Sequence, residues 1–331
     1  MKVLVTGATG FIGGNLARRL VAQGHQVKAL ARPGSNTSTI NGIGDGTGVE
    51  VVPGDILDAD SVDRGLRGCQ WVFHCAAAYT FWSKNPGDIY RTNVEGTAIV
   101  LDAAERAGVE RVVFTSTVGT IGLPAAGLGN ECTEMPAAQL VGNYKKSKYR
   151  AEQLALEKAR QGLPLVVVNP TATVGPWDVK PTPTGKIVLD YIRGRMPAYV
   201  DTGLNLVDVA DVADGHILAA EKGKVGQRYV LGKQNLTLKA IFELLEGITG
   251  RKAPRTKIPR WLALGAGYFD QLVEGQLLGR EPRIPLEGLR SSKKPMYVSC
   301  EKAIHELGLP QNPVEQALEE AVAWFENHEY K

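Results

Sequence analysis

TGATGFIGGNLARRL (residues 6–20) begins at the last residue of KVLVT (residues 2–6), a short apolar, β-branched run that reads as a strand. Its glycines stand at 7, 10 and 13, and the residues beyond have the pattern of a helix. A glycine or two would suit any tight strand-to-helix turn. The full set at such a junction predicts more. Gly7 permits the turn, Gly10 lets backbone approach a pyrophosphate, and Gly13 lets the helix pack closely on the strand. With Thr9, Phe11 and Ile12 completing the loop, the expectation is a dinucleotide cradle.

Working outward, further strand candidates are QVKALA (26–31), VEVV (49–52), QWVFHCA (70–76), RVVFTS (111–116) and LPLVVVN (163–169). Helix-like segments lie between most of them, the longest from Ile89 to Ala107. Continuous apolar strands separated by helices predict a parallel sheet buried on both faces, an α/β doubly wound Rossmann fold. A chain of 331 residues suggests about two lobes. Residues 1–170 are expected to form the dinucleotide-binding domain and 171–331 a smaller C-terminal substrate-binding lobe. TVGPWDVKPTPTG (173–185) reads as a long loop, and 205–232 as partly returning to the sheet, with QRYVLG (227–232) as a strand.

Composition is that of a globular protein, 44% hydrophobic and 22% charged with the signs mixed. A formal charge of +3 is too small to imply a nucleic-acid partner. Cys69, Cys75, Cys132 and Cys300 lack metal or redox spacing, and the five histidines form no ligand cluster, so no metal is expected. The sequence opens on a strand rather than a signal peptide, and no apolar stretch has the length of a membrane span. A cytoplasmic enzyme is the expectation, with peripheral membrane contact left open.

Residues beyond the cradle bear on the choice of dinucleotide. An NAD site usually places an acid about twenty residues on, at the ribose 2′-hydroxyl. Here no acidic residue occurs from Gly14 until Asp45, and Arg32 ends the second strand. A guanidinium there suits a 2′-phosphate, which favours NADP(H), with NAD(H) possible. Asp55 is expected at the adenine amino group with Ile56 beside the ring. The small residues Ala76, Ala77 and Ala78 let a strand end lie close to the cofactor.

NYKKSKYRAEQ (143–153) puts Tyr144 and Lys148 on one helix face. That spacing alone also describes an ordinary basic surface helix. A hydride-transfer enzyme, however, needs a group that exchanges a proton with the substrate oxygen, and free tyrosine, with a pKa of about 10, needs help. An ammonium beside the phenol would lower that value. RVVFTST supplies strand-end hydroxyls at Ser116 and Thr117, with Thr115 expected at the cofactor. Cradle, strand-end hydroxyl and Tyr-x-x-x-Lys helix in this order assign Tyr144 as the acid/base.

TGATGFIG, NVEGT (93–97), FTST and YKKSK together resemble the extended short-chain dehydrogenase/reductases, the NAD-dependent epimerase/dehydratase family. Within it the chain is similar to the hopanoid-associated sugar epimerase group and to dihydroflavonol 4-reductases. The resemblance implies Thr117, Tyr144 and Lys148 as the catalytic triad, Asn93 near the cofactor, and Pro170, Thr171 and Val174 on the nicotinamide side. It also makes a homodimer possible. Many relatives carry Ser where Thr117 stands, and the extra methyl predicts a tighter pocket. Nucleotide-sugar members typically carry an arginine for the pyrophosphate where this chain has neutral Leu204 and Asn205.

Aromatic residues Tyr79, Phe81, Trp82, Trp177 and Tyr199 are expected to wall the substrate site and to suit a compact or apolar ketone. The sequence therefore predicts an NADP(H)-dependent ketone reductase acting on a small carbonyl or sugar. Its rivals are a sugar epimerase and a non-catalytic NADP-binding regulator.

Overall fold

A computed structural model describes every residue except 47, 283–285, 329 and 331, and leaves the side chains of 45 and 46 aside. Strands β1 (Lys2–Thr6), β2 (Gln26–Ala31), β3 (Val49–Pro53), β4 (Trp71–His74), β5 (Arg111–Thr115) and β6 (Leu165–Pro170) come first. Between them lie α1 (Phe11–Ala22), α2 (Ala59–Leu66), α3 (Pro86–Tyr90), α4 (Gly96–Ala107) and α5 (Asn143–Arg160). Then come β7 (Ala172–Val174), α6 (Pro183–Ile192), β8 (Ala198–Tyr199), β9 (Gly203–Asp208), α7 (Val209–Lys222) and β10 (Arg228–Leu231). The last elements are β11 (Gln234–Thr237), α8 (Leu238–Thr249), β12 (Thr256–Lys257), α9 (Arg260–Asp270), α10 (Leu286–Ser291), α11 (Glu301–Leu307) and α12 (Val314–Glu326).

Seven strands form one parallel sheet in the order β3-β2-β1-β4-β5-β6-β10. The winding reverses between β1 and β4, which opens a crevice beyond their carboxyl ends. The apolar strands are sandwiched as their composition requires. Leu16 and Leu20 of α1, Val212 of α7 and Leu307 of α11 cover one face. Leu66 of α2, Leu101 of α4 and the i, i+4 series Ala151, Ala155 and Ala159 of α5 cover the other. Those three methyls let α5, the helix carrying Tyr144, lie close to the sheet.

The rest of the chain builds a further core from Val188 and Tyr191 of α6, Leu206 of β9, Phe242 and Leu245 of α8, and Leu318 and Phe325 of α12. QRYVLG does join the sheet, as edge strand β10 beside β6. Residues 203–208 pair instead with β7 and β11 in a separate three-stranded sheet. The expected long helix from Ile89 to Ala107 is interrupted by a π-turn at Arg91–Glu95, between α3 and α4. Single π-turns in helices often mark functional positions, and this one turns Asn93 inward. Among the described residues no helix is long and apolar enough to cross a membrane.

Candidate active site

At the switch point Gly7 has φ +74°, and a Cβ there would stand 2.7 Å from the backbone nitrogen of Ala76. Gly13 abuts the Gly7 carbonyl just as closely. Gly10 is exposed and forms the N-cap of α1 without any side-chain cap. The first N–H groups of α1 therefore face the crevice beside half-buried Thr9 and Ile12, while Phe11 turns into the protein. This is a cradle that fits a pyrophosphate. Arg32 is exposed at the end of β2. Asp55 accepts the N–H of Leu57 at 3.0 Å, and Ile56 is buried under Gly96. Ala76, Ala77 and Ala78 line the end of β4, half-buried.

Tyr144 lies in the first turn of α5 with its ring 4.7 Å from that of Tyr79 and 6.2 Å from that of Phe81. Thr117 accepts the N–H of Gly119 at 3.1 Å, and its hydroxyl also acts on the Tyr144 phenol. Burial pushes that phenol well above its ordinary pKa, and Thr117 opposes this only in part. Lys148 lies one helical turn further along α5, on the same face as Tyr144. Its Nζ donates to the Thr115 carbonyl at 2.7 Å beneath the Phe114 ring, and burial brings its own pKa down to about 8. Burial thus favours the protonated form of the Tyr144 phenol. Among the described residues the buried hydroxyls of Ser116 and Thr171 meet no hydrogen-bond partner, which fits two polar groups offered to a bound nicotinamide or substrate.

Other predicted residues are engaged elsewhere. The Thr115 hydroxyl faces His216 and Cys75 rather than the crevice. Asn93 accepts the N–H of Ala78 at 2.7 Å and donates to Ser147, so it fixes the strand end and α5. Pro170 ends β6, whereas Val174 is buried in the core of the second lobe. Tyr199 packs on Phe242 in that same core. Trp177 lies between Arg18, 3.4 Å from its ring, and Trp324. The wall expected from five aromatics is therefore narrower: Tyr79 and Phe81 meet Tyr144, and Trp82 continues along a groove.

That groove, of about 630 Å³, is lined by Phe81, Trp82, Lys84, Asn143, Leu286 and Glu287, among others. Glu287 of α10 accepts the Asn143 N–H at 2.9 Å, so a distant helix caps the N-terminus of α5 one residue before Tyr144.

Two buried networks were not anticipated from the sequence. Ala76 N–H donates to Thr6, whose hydroxyl bonds His74 Nδ1 at 2.7 Å. His74 Nε2 bonds Thr97 at 3.0 Å, and Thr97 donates to the Asn93 carbonyl. Burial lowers His74 to about 3 and keeps it neutral. The second network centres on Glu152, wholly buried, which accepts from Thr120 and Asn169 and pairs with Arg228. Asn169 also donates to the Thr117 carbonyl.

A parallel sheet with a glycine cradle at its switch point, and a Tyr–Lys helix alongside, defines an NAD(P)-dependent oxidoreductase or epimerase. The pattern of the NAD dependent epimerase/dehydratase family matches residues 3–232, and the chain belongs to that family. It is 46% identical over 331 residues to a Synechocystis protein provisionally named a dihydroflavonol 4-reductase, covering 98% of this chain and 95% of that one. It is 34% identical over 326 residues to sterol demethylase protein B of Methylococcus capsulatus, covering 98% of both. The crystal structure of gox2253 superposes with a TM-score of 0.86 at 42% identity, over 98% of each chain.

Proposed function

We propose that the protein is an NADP(H)-dependent reductase of a compact or apolar ketone, with Tyr144 as the proton donor. The observation that carries this reading is the Tyr144 phenol: held protonated by burial, opposed only in part by Thr117, and packed on Tyr79 beside an aromatic groove. Residues 1–170 would bind the cofactor and 171–331 would close over the substrate. The glycine cradle would hold the pyrophosphate, Arg32 a 2′-phosphate, and Asp55 and Ile56 the adenine. When bound, the nicotinamide supplies the hydride. Thr117 holds the carbonyl oxygen, and Tyr144 gives that oxygen its proton as negative charge develops there. Lys148 fixes the Thr115 strand end and would reach the nicotinamide ribose.

Relatives named for sterol and dihydroflavonol chemistry support an apolar, ring-bearing substrate. Neutral Asn205 points the same way, because its amide is spent on Asn235 and Lys233 rather than open to a diphosphate. A second reading, a nucleotide-sugar epimerase, draws support from Lys84 and Arg290 at the groove rim. Monitoring NADPH absorbance with cyclic ketones separates the two. Turnover that UDP barely inhibits is the expected result. Tight competition by UDP without ketone turnover would restore the epimerase.

A further inference from the structure

Among the described residues twelve large hydrophobic side chains are exposed, and seven of them fall between Trp261 and Leu278. That stretch is one continuous rod, α9 continued by a π-turn at Gln271–Leu277. Its inner side is occupied. Arg260 donates to the carbonyls of Leu289 and Arg290 on α10, and Arg290 in turn donates to the Tyr268 hydroxyl. Gly275 rests against the Trp82 indole and Gly279 against Lys84, so the rod roofs the groove that leads to Tyr144.

The outer side is apolar and open. Trp261 and Leu277 are each 73% exposed and Phe269 is 69% exposed, with Leu262, Leu272 and Leu278 about half exposed. Positions 261, 265, 269 and 272 recur at helical spacing and carry no charge. Cations bracket the rod. Arg255 precedes it, with Lys257 paired to Asp201 at 2.6 Å, and Arg280, Lys293 and Lys294 come after it, all exposed. Residues 251–294 hold ten Lys or Arg against four Asp or Glu, whereas the whole chain carries only +3, so the remainder is net acidic.

We infer that the outer face of this rod docks on an anionic lipid bilayer. Trp, Phe and Leu side chains on a charge-free stripe with basic ends match the acyl boundary and the phosphate layer respectively. The six apolar residues of the outer side lie in the interfacial plane, and no span is needed. The groove beneath then opens beside the membrane surface, where an apolar ketone is concentrated.

The test is flotation of the full chain with phosphatidylglycerol-rich and with pure phosphatidylcholine vesicles, free of substrate and cofactor. It therefore stands apart from the reductase reading. The protein should float with the anionic vesicles, and high salt should weaken this. W261S/F269S should reduce partitioning at least about tenfold through lost apolar burial, with an unchanged melting curve. Absence of flotation, equal flotation with both vesicles, or undiminished flotation of the variant would each overturn the inference. So would a concentration-dependent dimer lost in W261S/F269S without any vesicle binding, since a second copy would then cover the face.

Discussion

Glu152→Gln separates the buried charge pair from the side-chain volume that surrounds it. The carboxylate accepts from Thr120 and Asn169, each at 2.7 Å, and from Arg228 at 3.0 Å. Glutamine keeps the size and one oxygen, so the Thr120 and Asn169 bonds survive. What disappears is the negative charge opposite a guanidinium whose side chain is only 17% exposed. Breaking a buried pair from one side costs about 3–5 kcal/mol. Arg228 retains the Glu131 carbonyl as a second acceptor, so the low end, about 3 kcal/mol, applies here. Urea unfolding should show that loss as a lower midpoint with an unchanged slope. Arg228→Met added to Glu152→Gln removes the stranded cation and should recover most of it. A single-variant loss below about 1 kcal/mol, or an equal loss with and without Arg228→Met, would refute the pairing argument.

Arg32→Ala should weaken NADPH binding while leaving NADH nearly unaffected, so NADPH loses its advantage in affinity. Equal affinity for both cofactors in the unaltered protein would remove the argument. Lys148, depressed to about 8, is charged below that pH and loses its charge above it. Turnover should accordingly hold steady below neutrality and decline as pH rises through about 8. The raised Tyr144 phenol does not titrate in that window. Lys148→Arg should move the decline upward, and a pH profile flat past this point would count against any role for the ammonium.

Much of the fold was legible because local chemistry encodes it: glycines at a junction, apolar strands, and a Tyr–Lys pair one helical turn apart. Val174, Trp177 and Tyr199 were misread for a physical reason. Apolar side chains suit any core, and nothing in their own spacing says which core will take them. His74 and Asn169 carried an unused signal, since each is a polar residue inside an apolar strand and therefore needs a buried partner. Glu152 lies one turn beyond Lys148 on the same helix face, a second unused signal. Glu287 offered none, because the backbone it caps is 144 residues away.

The reading of Tyr144 as proton donor is tested most directly by Tyr144→Phe, which removes one hydroxyl and keeps the ring that Tyr79 and Phe81 pack against. Single-turnover reduction of a ketone at matched NADPH saturation is the measurement. A positioned acid contributes about 10²–10⁴-fold, so the rate should fall by that much while NADPH affinity stays the same. A Tyr144→Phe protein within a few-fold of the parent would contradict the account.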